Sequence, residues 1–513
     1  MSGADTIRFL ADIPRVQSTL RPEATAIVYE DRVVTYSALE AGSNRVARLL
    51  LDMGVVPGDR VAWLGRNCEA FFDVFFAAAK LRACLAPVNI RLAAPEIAFI
   101  LGDAAPRVLF VTPDQVEAAE RAVAGLAQPP RVVVVDGVLA SDRSEAPLDL
   151  PVPEITDDVL QLYTSGTTGH AKGVRLTNAN YEFFLDIRNQ IEGFDYGADE
   201  TVLIVMPLFH VAGTNISFAG LASGSRVIVL SAFAPEAVLR LIEAARVAHV
   251  FLAPAMIQML LQAPQIASTD LSSLKTIAYG ASPISAAVLA EAQARFGCGF
   301  IQFYGMTETT GAGSFLSPLA HTPDRLRSCG QVWPGLEMRI QGADGGEAPH
   351  GDIGEIAIRG PAVMAGYWNR SEATADAITS DGWLLTGDAG FRDASGYFFV
   401  HDRVKDMIVS GGENVYPAEV ENAILGCPGV ADAAVIGVPS DKWGEEVKAV
   451  VVALPGEAPT AQAVIEWARG RIAGFKAPKS VDFVDVLPRN ASGKVLRREL
   501  RAPYWEGRDR KVG

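Results

Sequence analysis

One alternation constrains this chain more than any other feature. Over roughly its first three hundred residues, short and almost unbroken apolar runs are separated by stretches with helical spacing. Residues 36–53 carry apolar side chains at Leu39, Val46, Leu49 and Leu50, one face of a 3.6-residue period. The Pro/Gly turn Gly54-Val-Val-Pro-Gly-Asp59 ends that helix, and Arg60-Val-Ala-Trp-Leu64 reads as a strand. A helix is then expected over 69–80, and apolar strands at 84–88, 107–111, 131–135, 201–205, 226–230 and 249–252. Strands that are apolar throughout, rather than at every second position, are buried on both faces, as in α/β sheets covered by helices.

The texture changes near residue 331. Alternating segments at 337–340 and 355–359, with the Gly-rich turn Gly342-Ala-Asp-Gly-Gly346 between them, predict a small antiparallel β unit, and 387–402 reads as a hairpin turning at Asp393-Ala-Ser-Gly396. After residue 403 the pattern is mixed again: helices at 418–425 and 461–472, strands at 433–438, 446–454 and 481–486. The expected organisation is a large N-terminal domain, 1–402, and a smaller α+β domain, 403–513.

Charge and cysteine usage exclude several functions. Lys plus Arg number 45 against 60 Asp plus Glu, a net charge of −15, so neither a nucleic-acid footprint nor a polybasic membrane anchor fits. The five cysteines are scattered with no C-x-x-C, and the six histidines show no ligand spacing, so neither a zinc site nor a disulfide framework is indicated. No apolar run reaches the length of a membrane span and the start lacks a signal-peptide core, which leads to a cytoplasmic expectation. The sequence leaves a homodimer open.

The most informative stretch is Leu162-Tyr-Thr-Ser-Gly-Thr-Thr-Gly-His-Ala-Lys-Gly-Val174. Gly166, Gly169 and Gly173 let backbone approach a ligand closely. Thr164, Ser165, Thr167 and Thr168, with the loop N–H groups, can donate to phosphate oxygens, and Lys172 adds a point positive charge. It is not a Walker A loop, because Lys172 stands between Ala171 and Gly173 and no Gly-Lys-Ser/Thr is present.

This loop resembles the Thr-Ser-Gly-Ser/Thr-Thr-Gly-x-Pro-Lys-Gly signature of the adenylate-forming superfamily, which contains acyl-CoA synthetases, peptide-synthetase adenylation domains and luciferases. Ala171 replaces the usual proline, which removes some stiffness but no charge. Five further segments match in order. Gln302-Phe-Tyr-Gly-Met-Thr-Glu-Thr309 resembles the family's Tyr-Gly-x-Thr-Glu motif, which implies Tyr304 against adenine with Gly305 and Met306 beside it, Thr307 at the α-phosphate and Glu308 on Mg²⁺. An aromatic face suits a purine, and a carboxylate suits Mg²⁺. Tyr279-Gly-Ala-Ser-Pro283 resembles the turn beside adenine, implying nucleotide contacts at Gly280, Ala281 and Ser282. Leu385-Thr-Gly-Asp388 resembles the ribose-binding motif, with Asp388 accepting from the hydroxyls. Arg403 would reach the ribose and Lys405 would be the hinge. Pro488-Arg-Asn-Ala-Ser-Gly-Lys494 supplies the matching catalytic lysine, Lys494, which would neutralise charge developing at the α-phosphate.

The resemblance implies a fold with a large α/β domain, a small β-barrel and a mobile C-terminal α+β domain, and an AMP-forming acid–thiol ligase with Mg²⁺ as cofactor and ATP and coenzyme A as co-substrates. Gly411, Gly412 and Glu413 would line the pantetheine channel. Trp443 and Phe475 match positions that pack on the CoA nucleotide, though core aromatics are an equal alternative. Phe209, His210, Gly213, Tyr279, Gly280, Phe303, Gly305, Gly311 and Ala312 are the expected acyl pocket, with His210 at its mouth and counted, with Thr307, Glu308 and Lys494, among the expected catalytic residues. Neither 302–313 nor 207–213 contains arginine, so the acid should have an uncharged tail. The small residues Gly311 and Ala312 favour a medium- or long-chain fatty acid, with aryl or arylpropenoic acids as the alternative. A ligase that loads a carrier protein keeps the fold and changes the acceptor. A phosphate-loop ATPase and a non-catalytic nucleotide binder are the readings from other classes.

Overall fold

The computed structural model describes residues 6–135, 144–164, 171–282, 284–342, 345–403, 406–410, 413–440, 442–489 and 495–506. The expected alternation builds two large sheets. In the first, nine strands run with a parallel core of Gly299–Tyr304, Thr276–Gly280, His249–Leu252, Thr201–Ile204, Arg226–Val229 and Thr25–Tyr29, adjacent in that order. The antiparallel strands Ser314–Leu316 and Gln331–Val332 extend one side, and Arg32–Thr35 closes the other. The second sheet has seven strands in the order Gly366–Tyr367, Lys172–Thr177, Asp158–Thr164, Cys84–Pro87, Arg60–Leu64, Val108–Val111 and Arg131–Val134.

Two helices join these sheets, and their composition explains why. Ala70–Lys80 is buried at every position but Asp73 and Lys80, with Phe71, Phe72, Phe75 and Phe76 on one broad face, and Val211–Ser223 is buried from Gly213 to Ala222. Such helices have no wide solvent face; the buried hydroxyls of Thr214 and Ser217 bond carbonyls one turn back in the second of them, which lets it lie enclosed. The first packs on Cys84–Pro87, the second on Thr201–Ile204, and Phe75 meets Phe218 at 4.4 Å between ring centroids.

The change of texture after residue 331 corresponds to a second architecture. Glu337–Gln341, Gly354–Arg359, Leu384–Arg392 and Phe398–Arg403 form an antiparallel sheet in that order. Where a small barrel is expected, the described residues form this four-stranded sheet. Residues beyond it form a five-stranded sheet around the long pair Val430–Ser440 and Gly444–Ala453, covered by Pro417–Leu425 and Ala461–Arg469. This unit has its own core, including Ile408, Val420, Ile424, Val435, Val447, Val451 and Val464.

Candidate active site

The stems of the glycine-rich segment are the strands Asp158–Thr164 and Lys172–Thr177, in antiparallel register with Thr164 opposite Lys172 and Tyr163 opposite Gly173. Ser165, Gly166, Thr167, Thr168 and Gly169 lie outside the described residues. The stems are braced from behind. Tyr163 Oη donates to Asp103 Oδ2 at 2.8 Å, Arg370 pairs with the other oxygen of Asp103 at 2.8 Å, and Trp368 N–H donates to the Gly173 carbonyl at 2.7 Å. Ala171 packs on the apolar cluster containing Ile97 and Leu101, so the position without the usual proline is held by contact.

Glu308 reaches this hairpin from the other large sheet. It sits on the short 3₁₀ turn Thr307–Thr309 and is buried. Thr164 Oγ1 donates to Glu308 Oε1 at 3.4 Å, and Tyr367 Oη donates to the same oxygen at 3.0 Å. Lys172 Nζ lies 4.8 Å from the centroid of the Tyr367 ring. One carboxylate, one ammonium and two hydroxyls therefore meet where the two sheets approach each other.

A second polar pair lies at the end of the strand that precedes Glu308. Tyr304 Oη donates to Asp388 Oδ2 at 2.8 Å, and Asp388 stands opposite Arg403 in the register of Leu384–Arg392 with Phe398–Arg403. Burial, reinforced by the Asp388 charge, pushes the Tyr304 phenol well above its ordinary value, so it stays a neutral donor. Backbone approaches closely here. A Cβ at Gly280 would lie 2.4 Å from the Phe303 carbonyl oxygen, and one at Gly305 would lie 2.3 Å from that of Gly311. Ala281 follows Gly280 in the left-handed region at φ +67°, and Ser282, Met306 and Thr307 are half-buried around the same turn.

His210 precedes the helix Val211–Ser223. Burial, aided by the Arg91 charge, brings its imidazole down to about 4, so it is neutral at physiological pH. Phe209 lies beside it, and Gly213 sits so tightly over Pro207 that a Cβ there would meet the Pro207 carbonyl oxygen at 2.2 Å. Asn215 Nδ2 donates to the Thr310 carbonyl at 2.7 Å, and Gly311 faces Asn215 and Val211. The helix N-terminus and the Gly311 turn thus share a wall, with Ala312 buried behind it.

The structure separates two residues expected in one chamber. Tyr279 pairs with Gln302 and Gly280 with Phe303, and successive strand residues point to opposite faces. Tyr279 is buried against Phe300 and bonds His321 Nε2 at 3.1 Å, whereas Phe303 packs on Phe194 and Trp333. The two rings leave their strands on opposite faces of the sheet and have different neighbours, a difference set by the two-residue period of a strand.

Of the residues expected at CoA, Glu413 and Phe475 line a cavity of about 410 Å³ with Ile353, His401, Tyr416, Glu419 and Lys476. Trp443 is 42% exposed and is not among its walls, so the structure gives these two aromatics different surroundings. Lys405, Gly411, Gly412 and Lys494 lie outside the described residues, and nothing is described of the Arg403 side chain. Among the described residues, no three His, Cys, Asp or Glu side chains gather as a metal cage. The donor set of Glu308 with the Thr164 hydroxyl fits Mg²⁺, which is held by one or two carboxylates while phosphates and water complete its octahedron.

Tyr367, Asn215 and Asp103 were not singled out from sequence. The first carries no charge and lies in no glycine loop, and its one signal was an aromatic pair after glycine, Gly366-Tyr-Trp368. The other two act through bonds 95 and 60 residues away in sequence, which local pattern does not encode.

Comparison with known proteins gives the family. The model of the AMP-binding enzyme family matches residues 15–368, and that of the AMP-binding enzyme C-terminal domain matches 419–494. A fatty acid–[acyl-carrier-protein] ligase of Streptomyces coeruleorubidus is 40% identical over 499 residues, covering 96% of this chain and 95% of the relative. A feruloyl-CoA synthase of an Amycolatopsis species is 42% identical over 496 residues, covering 96% and 99%. The solved structure of a Mycobacterium tuberculosis fatty acyl CoA synthetase superposes with a TM-score of 0.78 at 34% identity, covering 98% of this chain and all of that one. The first match spans the two large sheets and the first two strands of the antiparallel unit, and the second falls in the C-terminal unit. The chain belongs to the AMP-binding enzyme family, in the acyl-CoA ligase branch of the adenylate-forming superfamily, and is an AMP-forming acid–thiol ligase.

Proposed function

We propose that the protein is an ATP-dependent carboxylic acid–CoA ligase acting on medium- or long-chain fatty acids, with the residue roles that follow. The observation that carries the reading is the convergence of Thr164 and Tyr367 on Glu308, with Lys172 over the Tyr367 ring and the Tyr304–Asp388 pair at the end of the strand leading to Glu308. Adenine packs against Tyr304 over the tight backbone of Gly280 and Gly305, and Asp388 accepts from the ribose. The loop from Thr164 to Lys172 holds the phosphates, with Thr307 at the α-phosphate and Glu308 holding Mg²⁺, which neutralises phosphate charge when bound.

A carboxylate is a poor acyl donor because oxide is a poor leaving group. The acid oxygen attacks the α-phosphorus and the bond to the β-phosphate breaks, releasing pyrophosphate, while Lys494 stabilises the growing negative charge. Neutral His210 at the mouth of the acyl chamber does not compete for the carboxylate by pairing with it. Rotation of residues 403–513 about Lys405 then removes Lys494 and presents the channel of Gly411, Gly412 and Glu413. The CoA thiolate attacks the acyl carbon, the bond to AMP breaks and AMP departs. Trp443 and Phe475, both exposed, contact the CoA nucleotide in this reading.

Two features support the choice of acid. Gly311 and Ala312 add little bulk beside Val211, and no arginine stands between 207 and 213 or between 302 and 313. The half-buried Phe303 ring, which follows Gln302 on the strand leading to Glu308, favours a second reading in which an aryl or arylpropenoic acid packs on it. The reading carries a cytoplasmic location. It also leaves a homodimer open for light scattering to decide. Among the described residues no helix is long and apolar enough to cross a membrane.

The test is a pyrophosphate-release screen over fatty, cinnamic, benzoic and dicarboxylic acids, with thiol consumption followed when CoA is present. A fatty acid should give the highest kcat/KM, and thiol loss should match AMP formed. A dicarboxylic acid as best substrate would overturn the uncharged-tail assignment. Turnover that consumes only a carrier-protein thiol would overturn CoA as the acceptor.

A further inference from the structure

We propose that Tyr367 is a positioning residue that sets how Glu308 meets the metal and where Lys172 meets the phosphates. The inference rests on the nucleotide reading above and adds a residue to it. Two independent contacts carry it. The Tyr367 hydroxyl donates to Glu308 Oε1 at 3.0 Å, and its ring lies under Lys172 Nζ at 4.8 Å from the centroid.

The backbone explains why one side chain reaches both. Gly366–Tyr367 is the strand beyond Lys172–Thr177 in the seven-stranded sheet, with Tyr367 opposite Val174. Tyr367 is thus fixed to the same hairpin as Lys172, and its neighbour Trp368 is tied to the Gly173 carbonyl at 2.7 Å. Glu308 is drawn to the same place by its own backbone, whose carbonyl accepts from Met364 N–H at 2.9 Å.

The bonds to Glu308 are selective between its two oxygens. Oε1 receives the hydroxyls of both Tyr367 and Thr164, at 3.0 and 3.4 Å, and the described residues place no partner on Oε2. Two donors occupy the lone pairs of Oε1 and leave Oε2 as the oxygen available to a cation. Glu308 then ligates through one oxygen in a fixed direction, as suits an ion that demands near-octahedral geometry. The ring has a separate task. Lys172 and Glu308 carry opposite charges beside the same tyrosine, and a direct ion pair between them would spend both. An ammonium held over an aromatic face stays available to a phosphate.

The experiment compares binding, without turnover, because no acid is supplied. Titration calorimetry gives the affinity of each variant for Mg·ATP and for ATP in EDTA, and the ratio of the two isolates the metal's contribution. Tyr367→Phe keeps the ring and removes the hydroxyl. It should weaken Mg·ATP about tenfold or more and leave metal-free ATP within twofold, the loss expected for one hydrogen bond to a charged group. Tyr367→Leu should weaken metal-free ATP as well. Thr164→Val, which removes the other donor to Oε1, should lower the same ratio less, and gives a second reading should the tyrosine variants fold poorly. Glu308→Gln should collapse the ratio.

A Tyr367→Phe protein whose ratio equals the wild-type one, or in which both affinities fall equally, overturns the proposal while a collapsed ratio in Glu308→Gln keeps the underlying site intact. An unchanged ratio in Glu308→Gln overturns the metal role of Glu308, and the role of Tyr367 with it.

Discussion

The parallel strands of the nine-stranded sheet carry polar clusters at both ends, and the two clusters differ in kind. At the N-terminal ends, His249 bonds Glu200 through Nε2 at 2.7 Å and Thr276 through Nδ1 at 2.6 Å, Lys275 pairs with the second oxygen of Glu200, and Gly197 N–H donates to Glu200 at 2.6 Å. By residue types this is an acid–histidine–hydroxyl chain of the sort nucleophilic enzymes use. Its physics is that of a staple. His249 and Thr276 are buried, the Thr276 hydroxyl also reaches the Gly193 carbonyl at 3.2 Å, and Tyr196 covers the imidazole at 4.3 Å. At the C-terminal side, Glu308 keeps an oxygen without a described partner, and glycine backbone at Gly280 and Gly305 brings strands and turns into close contact. Residue types alone do not separate a staple from a site; satisfied hydrogen-bond capacity and access do.

The largest expected effect belongs to Lys494→Ala, which should lower acid-dependent pyrophosphate release by about 10²–10³-fold, the range for losing one group that stabilises developing charge. Thioester formation from a supplied acyl-AMP should change far less, and stopped-flow measurement of the two half-reactions would show the split. Next, Asp388→Ala should raise the KM for ATP about tenfold or more, consistent with ~1.5–3 kcal/mol for a hydrogen bond to a charged group. A KM within twofold of wild type would remove Asp388 from the nucleotide site.

The staple predicts the opposite signature. Glu200→Gln should cost about 1–3 kcal/mol of stability in urea unfolding and leave kcat and KM unchanged. A loss of kcat at full folding would turn the staple into machinery. Its pH dependence follows from Glu200. Burial raises this carboxyl, but the bonds from Lys275, Gly197 and His249 outweigh burial and bring it down to about 2 from 4.5. A carboxyl depressed on folding stabilises the native state above its unfolded value, and that contribution fades as pH falls from 4.5 toward 2. Glu200→Gln should flatten the stability profile in that window. The smallest effect is His210→Phe: with an imidazole already neutral above about 4, the pH–rate profile between 6 and 8 should keep its shape.

What the sequence discloses divides along similar lines. Apolar runs are local, so the strand Arg60–Leu64 and the helix Tyr36–Asp52 fall within a residue of expectation. The glycine-rich loop and the Thr-Glu turn are legible because their chemistry is written in consecutive residues. That Thr164 and Glu308 share an oxygen contact across 144 positions is a property of topology, and so is the arrival of Tyr367 beside both. That Tyr279 and Phe303 leave their strands on opposite faces is hidden for a related reason: composition names candidate walls, but strand register decides which face each side chain takes. The four strands of the antiparallel unit are legible by alternation, whereas their order in the sheet depends on edge pairing that no single segment encodes.

The most direct test of the central claim is acid-dependent exchange of labelled pyrophosphate into ATP in the absence of CoA, comparing wild type, Glu200→Gln and Glu308→Gln. The account predicts exchange in wild type and in Glu200→Gln at equal rates, and a loss of at least tenfold in Glu308→Gln. Exchange that proceeds without added acid, or at the wild-type rate in Glu308→Gln, would contradict it.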